Sequence, residues 1–218
     1  MMLDTADQRA NMVAAQLRPN DVTDARIRDA MLSVPRERFV PEGFAPVAYM
    51  EGTIPIGPGR VLLDPRSFAK LLQLAGVGPN DHVLDVACGT GYSTAILALM
   101  GRDVVGLEDN AELAARAAAN LGDLGAANAR VIGGPLVSGC PAEAPFDVIF
   151  LNGAIERQPV DLLGQLADGG RLVAIVRNGA AGHAFVYLKH QGAVGERSAF
   201  DACVPVLPGF ETPPRFVF

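Results

Sequence analysis

The stretch Val83-Leu84-Asp85-Val86-Ala87-Cys88-Gly89-Thr90-Gly91-Tyr92 decides how the rest of the chain is read. Apolar residues flanking an aspartate make a short strand, Gly-x-Gly makes a tight loop, and a helix opens at Tyr92. Gly89 and Gly91 carry no Cβ, so the backbone there can turn sharply and come close to a ligand. In an open parallel sheet, ligands sit beyond the carboxyl ends of the strands, where this loop would lie.

Downstream the alternation continues. Strands are expected at residues 82–86, 103–107, 129–132, 148–151 and 171–176, with helices at 92–100, 111–121 and 159–166 between them. Strands apolar on consecutive residues and separated by helices imply a parallel sheet covered on both faces. Residues 184–189 and 194–200, around Gln191-Gly192, read as an antiparallel hairpin closing one sheet edge.

Upstream the chain reads helical. Asp4 or Thr5 can cap a helix that buries Met12, Val13 and Leu17, and Thr23 can cap a second, over 24–33, with Ile27, Met31 and Val34 inward. The run from Pro35 to Pro41 breaks periodicity, and Ile54-Pro55-Ile56-Gly57-Pro58-Gly59 reads as a rigid extended loop. Asp64-Pro65 is an N-cap followed by proline at the first helical position, opening a helix through Leu74. The expected architecture is therefore α/β, a doubly wound and mostly parallel sheet with an antiparallel carboxyl-terminal edge. Residues 1–75 form a helical extension and 76–218 the ligand-binding part, in one compact unit.

Bulk properties narrow the chemistry. The 218 residues are 50% hydrophobic and 19% charged, with mean hydropathy +0.24, which is a globular composition. A net charge of −6 and no Lys/Arg cluster argue against a nucleic-acid partner. No apolar run reaches the length of a membrane span, and the polar first ten residues lack a signal-peptide core. Cys88, Cys140 and Cys203 are scattered, without a Cys-x-x-Cys pair, so neither a disulfide framework nor a metal site is expected, and the cytoplasm is the expected compartment. The apolar tail Arg215-Phe216-Val217-Phe218 is expected to pack on the core or on a partner.

Glu108 ends the second strand about twenty residues beyond the loop, where a carboxylate can accept hydrogen bonds from both hydroxyls of a ribose. The third glycine of the dinucleotide fingerprint is missing, and there is no Gly-x-x-x-x-Gly-Lys phosphate loop. That combination disfavours a nicotinamide-dependent oxidoreductase and fits a nucleoside without a pyrophosphate.

The loop Asp85-Val86-Ala87-Cys88-Gly89-Thr90-Gly91 is similar to the first motif of class I S-adenosylmethionine-dependent methyltransferases, which have a Rossmann-like fold. The resemblance narrows along the chain. Met12-Val13-Ala14-Ala15-Gln16-Leu17, Ala30 to Pro41, Ala48-Tyr49, Pro55 to Gly59, Ala144 to Ile149 and Gln165 to Val173 follow in the order seen in protein-L-isoaspartate O-methyltransferases. It implies S-adenosylmethionine as cofactor and a carboxylate of damaged aspartyl residues in proteins as methyl acceptor. It also implies that Asp85, Ala87, Cys88, Gly89, Gly91, Tyr92, Glu108, Asp109, Gly134 and Asn152 surround the cofactor. Ile54, Pro55, Ile56 and Gly57 would then meet the substrate, with Leu63 and Asp64 at the family's Ser-Gln positions.

Three departures stand out. Leu63 brings no hydroxyl where the resemblance implies one, and Asp64 reads best as a helix cap. Gly133-Gly134-Pro135 lacks the adenine-side carboxylate, and Asn152-Gly153-Ala154 replaces Thr-Ala-Ala, leaving Asn152 to line the crevice or cap a turn. A family member with another acceptor, or one that binds cofactor without catalysis, is the alternative reading. Methyl transfer to a carboxylate needs positioning and desolvation more than acid–base groups, so scattered His82, His183 and His190 are not required. Arg36 and Arg38 could attract a substrate carboxylate but are expected to be solvated, the commoner outcome for arginine, and Tyr92 is expected to pack the helix start.

Overall fold

A computed structural model describes residues 4–212, so the tail expectation for 215–218 lies outside the described residues. The chain opens with α1 (Thr5–Met12), capped by the Asp4 carboxylate accepting from the Ala6 amide at 3.3 Å, and runs on into a wide turn over Val13–Leu17. Helix α2 (Ala25–Ser33) starts one residue later than expected. The Gln73 side chain takes the Thr23 amide at 2.7 Å, and Asp24 caps the helix instead, accepting from the Arg26 amide at 2.9 Å.

The expected extended loop is in fact an antiparallel hairpin, β1 (Ile54–Gly57) and β2 (Arg60–Leu62), turning at Pro58-Gly59. Ile54, Ile56 and Leu62 are buried while Pro55 faces solvent, and this alternation is what a half-buried two-stranded ribbon requires. Asp64 then caps α3 (Pro65–Ala75), accepting from the Ser67 amide at 2.9 Å.

From there the alternating part runs β3 (His82–Val86), α4 (Tyr92–Ala98), β4 (Asp103–Glu108), α5 (Ala111–Asp123), β5 (Ala129–Gly133), β6 (Phe146–Ile155), α6 (Val160–Gly164), β7 (Leu166–Asn178), β8 (Ala181–His190) and β9 (Ala193–Asp201). The seven strands lie in the order β5-β4-β3-β6-β7-β8-β9. Pairings are parallel from β5 through β7, while β8 and β9 are antiparallel, as the carboxyl-terminal hairpin reading required. Helix α6 is shorter than expected because Leu166 already pairs with Phe146 in the sheet.

Alternation along the strands sorts the core into two clusters, one on each face of the sheet. Val83, Val104, Phe150 and Val173 pack with Met12, Ile27, Phe39 and Phe68, so the amino-terminal segment shares its core with the sheet. Leu84, Val105, Ile149 and Leu172 pack on the other face with Leu162 and Phe210. Each such side chain removed from water stabilises the fold by roughly 1.5–3 kcal/mol before entropy is counted. Strand order reverses between β3 and β6, so the carboxyl ends of β3, β4 and β6 open onto one crevice.

Candidate active site

The loop after β3 carries three left-handed residues in alternation: Ala87 (φ 59°), Gly89 (φ 58°) and Gly91 (φ 92°). A Cβ on Gly91 would lie 3.2 Å from Cα and Cβ of Ala117, and one on Gly89 would lie 2.5 Å from Cδ1 of Ile56. Thus α5 packs on one side of the loop and the β1–β2 hairpin on the other. Ala87 adopts the left-handed conformation with a Cβ, at a cost of roughly 1–2 kcal/mol.

Asp85 is fully buried. Its Oδ2 accepts from the hydroxyls of Ser93 at 2.7 Å and Thr94 at 2.6 Å, and its Oδ1 from the Asn152 side-chain amide at 2.6 Å. Burial pushes its carboxyl up to about 6, against the pull of those three donors. Asp85 therefore ties the loop, the first turn of α4 and the end of β6 together. Asn152 also donates to the Val86 carbonyl at 3.3 Å, at the point where the pairing of β6 with β7 shifts register. Its side chain is committed to the crevice and does not cap the next turn.

Glu108 ends β4 with no exposure at all. Its Oε2 accepts from the Gly89 amide at 2.8 Å, and its Oε1 from the Asn110 amide at 3.1 Å and Arg60 Nε at 3.1 Å. Burial pushes this carboxyl up from its ordinary value, and the Arg60 charge pulls it back. The Arg60 guanidinium also bonds Asp109 and is itself almost fully buried. Burial and the neighbouring Asp85 and Glu108 charges hold the Cys88 thiol protonated, so it is not a nucleophile here. Gly134 turns its amide to the Glu108 carbonyl at 3.1 Å, placing β5's end beside the same acid.

The expectation that Arg36 is solvated is wrong. Its side chain is wholly inside, with Nε donating to the Ala48 carbonyl at 2.7 Å and Nη2 to the Leu63 carbonyl at 2.6 Å. Its guanidinium carbon lies 5.1 Å from the centre of the Tyr92 ring. Pro35 starts the turn over Arg36–Phe39 that aims this side chain inward, and the Arg36 amide donates to the Tyr49 hydroxyl at 3.2 Å. Arg38, from the same turn, is at the surface and pairs with Asp123 at 2.6 Å. Leu63 is buried beside Arg36, and Asp64 serves as the helix cap.

A cavity of about 10 Å³ lies between hairpin and loop, with Arg36, Ile56, Leu63, Tyr92, Ser93 and Asn152 among the residues on its wall. Sequence reasoning put the glycine loop and Glu108 side by side, and the Gly89 amide does meet the Glu108 carboxylate at 2.8 Å. It missed Arg60, Ser93 and Thr94, whose roles arise from contacts that no local pattern announces. His82 sits at the amino end of β3, bonding the Glu143 carbonyl at 2.9 Å and stacking on Phe146, away from the crevice. Among the described residues no group of His, Cys, Asp and Glu is placed to hold a metal, and no helix is long and apolar enough to cross a membrane.

A family model described as protein-L-isoaspartate(D-aspartate) O-methyltransferase matches residues 8–206. A protein-L-isoaspartate O-methyltransferase of Koribacter versatilis is 38% identical over 201 residues, spanning 91% of this chain and 90% of that protein. Its counterpart in Methylorubrum populi is 42% identical over 165 residues, 76% of this chain and 77% of the other. Among solved structures, a protein of Plasmodium falciparum described as a putative protein-L-isoaspartate O-methyltransferase, in complex with S-adenosyl-L-homocysteine, has a similar fold. Its TM-score is 0.79 at 22% identity, covering 94% of this chain and 98% of that one. Likeness at that identity speaks for the fold alone. The family match over nearly the whole chain, the relatives' identity and the crevice geometry lead to one assignment: this chain belongs to the protein-L-isoaspartate O-methyltransferase family.

Proposed function

We propose that this protein transfers a methyl group from S-adenosylmethionine to a carboxylate of isoaspartyl residues in proteins. The observation that carries the reading is the buried Glu108 carboxylate, fixed by the Gly89 amide at the end of the glycine loop. A rigid acid beside Cβ-free backbone suits a ribose diol on one side and a slender chain on the other.

The residue set fits the cofactor. Glu108 and Asp109 would take the ribose hydroxyls, the loop from Ala87 to Gly91 would border the methionine part, and Gly134 would border the base. Bound there, S-adenosylmethionine supplies an electrophilic methyl group on a sulfonium. Ile56 and Arg60 now fill the space above the loop, so the hairpin must lift for the cofactor to enter. Asp85, held by three donors, keeps the loop in shape and does not itself face the ligand.

An acceptor carboxylate is ionised at neutral pH and needs no general base. Ile54, Ile56, Leu62 and Leu63 exclude water from it, which strips the nucleophile of solvation. Buried Leu63, where the family resemblance implies a hydroxyl, leaves the acceptor to be held by other groups. The three free cysteines favour a reducing compartment, the cytoplasm, as the place of action.

Calorimetric titration with S-adenosylmethionine, followed by labelled-methyl transfer to an isoaspartyl peptide, tests the reading. Binding and base-labile labelling of the peptide are expected. No cofactor binding at millimolar concentration would overturn the reading. Binding without transfer would leave a cofactor-binding protein or another acceptor.

A further inference from the structure

Arg36 is a buried cation with no carboxylate paired to it among the described residues. Nη1 of its guanidinium and the hydroxyl of Tyr92 are both buried and interact with each other, but not at good hydrogen-bond geometry, and neither has another partner among the described residues. Arg60, also buried, is by contrast neutralised by Glu108 and Asp109. Carbonyl oxygens and a ring face hold Arg36 in place, and the Asp64 and Tyr92 side chains act on its charge, yet no carboxylate pairs with it among the described residues and Nη1 has only the Tyr92 hydroxyl beside it. Such a group is costly in a protein interior unless a ligand completes it.

The Nη1 edge has a definite position. Arg36 and Tyr92 line the small cavity whose floor is Ala87 and Cys88 of the cofactor loop and whose roof is the hairpin. The same guanidinium grips the carbonyl of Leu63, the residue without the expected hydroxyl. A cavity of about 10 Å³ suits no more than one water, so a carboxylate reaches this edge once the hairpin lifts.

We propose that Arg36 is the acceptor-binding residue of this enzyme, pairing through Nη1, with the Tyr92 hydroxyl beside it, with the carboxylate that receives the methyl group. The proposal rests on the reading of the protein as a carboxylate methyltransferase. Arg36 holds one carboxylate oxygen; the other attacks the methyl carbon, the carbon–sulfur bond breaks, and its electron pair stays on sulfur. Carboxylate and sulfonium become a neutral ester and a neutral sulfide, with no proton gained or lost. The ester no longer carries the charge that Arg36 attracted, so the same residue that captures the acceptor favours release of the product. Because the ion pair forms in the ground state and fades during transfer, Arg36 governs acceptor KM more than kcat.

The test measures binding apart from turnover. Protein saturated with S-adenosyl-L-homocysteine is titrated with an isoaspartyl peptide and with the same peptide carrying a carboxamide in place of the free carboxylate. Wild type is expected to prefer the carboxylate by on the order of thirtyfold or more, and Arg36→Gln to lose that preference. Arg36→Lys keeps the charge without the planar fork and should retain part of it. Tyr92→Phe keeps the ring and should lower the preference several-fold, and it decides the matter if the Arg36 variants do not fold. A wild type indifferent to the charge, or a folded Arg36→Gln or Tyr92→Phe with the preference intact, overturns the proposal. Carboxylate preference without methyl transfer in the wild type sinks the functional reading and leaves Arg36 as an anion site.

Discussion

Two of the described arginines, Arg36 and Arg60, lie inside this molecule at either end of one strand, and they are neutralised differently. Arg60 opens β2 and meets two carboxylates, Glu108 and Asp109. Arg36 grips the carbonyl of Leu63 just past the end of β2 and meets none among the described residues. A buried charge left without its partner is strongly destabilising, so Arg60 is tied to its acids, whereas Arg36 is the group proposed above to meet the acceptor. The loop from Ala87 to Gly91 touches both: the Gly89 amide holds the acid that Arg60 pairs with, and Ala87 lines the cavity of Arg36.

The harshest way to break the contrast is to strip Arg60 of its buried acid. Glu108→Ala removes the carboxylate that Arg60 Nε and two backbone amides converge on, leaving Arg60 with the half-exposed Asp109 alone and two amides unmet. Breaking a buried pair from one side costs about 3–5 kcal/mol, so the denaturation midpoint should fall sharply and cofactor binding should vanish with it. A variant as stable as wild type would mean that Arg60 finds solvent easily and the hairpin is loose.

A third buried charge joins the two sites. Asp85 holds Asn152, which lines the Arg36 cavity, and the Glu108 charge helps to push the Asp85 carboxyl up. Asp85 titrates at about 6 in the fold against an ordinary value of 3.8, so the native state holds its proton more tightly than the unfolded chain. The stability this group contributes is complete below about pH 3.8 and is lost as pH rises through about 6, roughly 3 kcal/mol in all. Urea titrations of wild type and Asp85→Asn between pH 4 and 7 isolate the contribution of this carboxyl. Wild type should lose ground to the variant over that window, and a constant gap would show that the carboxyl titrates normally.

Severing the paired site from the other end should act on binding. In Arg60→Gln, Glu108 keeps the Gly89 and Asn110 amides but no longer holds the hairpin. A ribose then has no cation to displace, and affinity for S-adenosylmethionine should rise on the order of tenfold in a calorimetric titration. A fall in affinity would reassign Arg60 from a latch on the hairpin to a cofactor contact.

The difference between the two arginines also explains what could be read from sequence. The sheet, its order of elements and the glycine loop after β3 were legible because strand alternation, Gly89 and Gly91, and the position of Glu108 are local or regularly spaced signals. The hairpin was missed because Pro55 and Pro58 looked like breakers, while the alternation of Ile54, Ile56 and Leu62 is too short to stand out. Arg36 was misplaced because an arginine between Pro35 and Glu37 looks solvated. What buries it comes from Ala48, Leu63 and Tyr92, far along the chain and joined only by folding. Asn152 and Asp85 meet across 67 residues in the same way.

The smallest effect concerns the loop that both sites share. Ala87 and Ala95 are equally buried, at 3% exposure each, but Ala87 is left-handed and Ala95 lies in α4. Replacing either by glycine removes one buried methyl, about 0.8 kcal/mol, and adds a similar entropy cost in the unfolded chain. Only at Ala87 does the change also relieve backbone strain, since glycine adopts positive φ freely. Ala95→Gly should therefore destabilise the protein by about 1 kcal/mol more than Ala87→Gly does in matched urea titrations. Equal losses would mean that the loop is not held left-handed at Ala87. A smaller loss at Ala87, together with tighter cofactor binding, would show that this Cβ narrows the floor of the cleft between the two arginines.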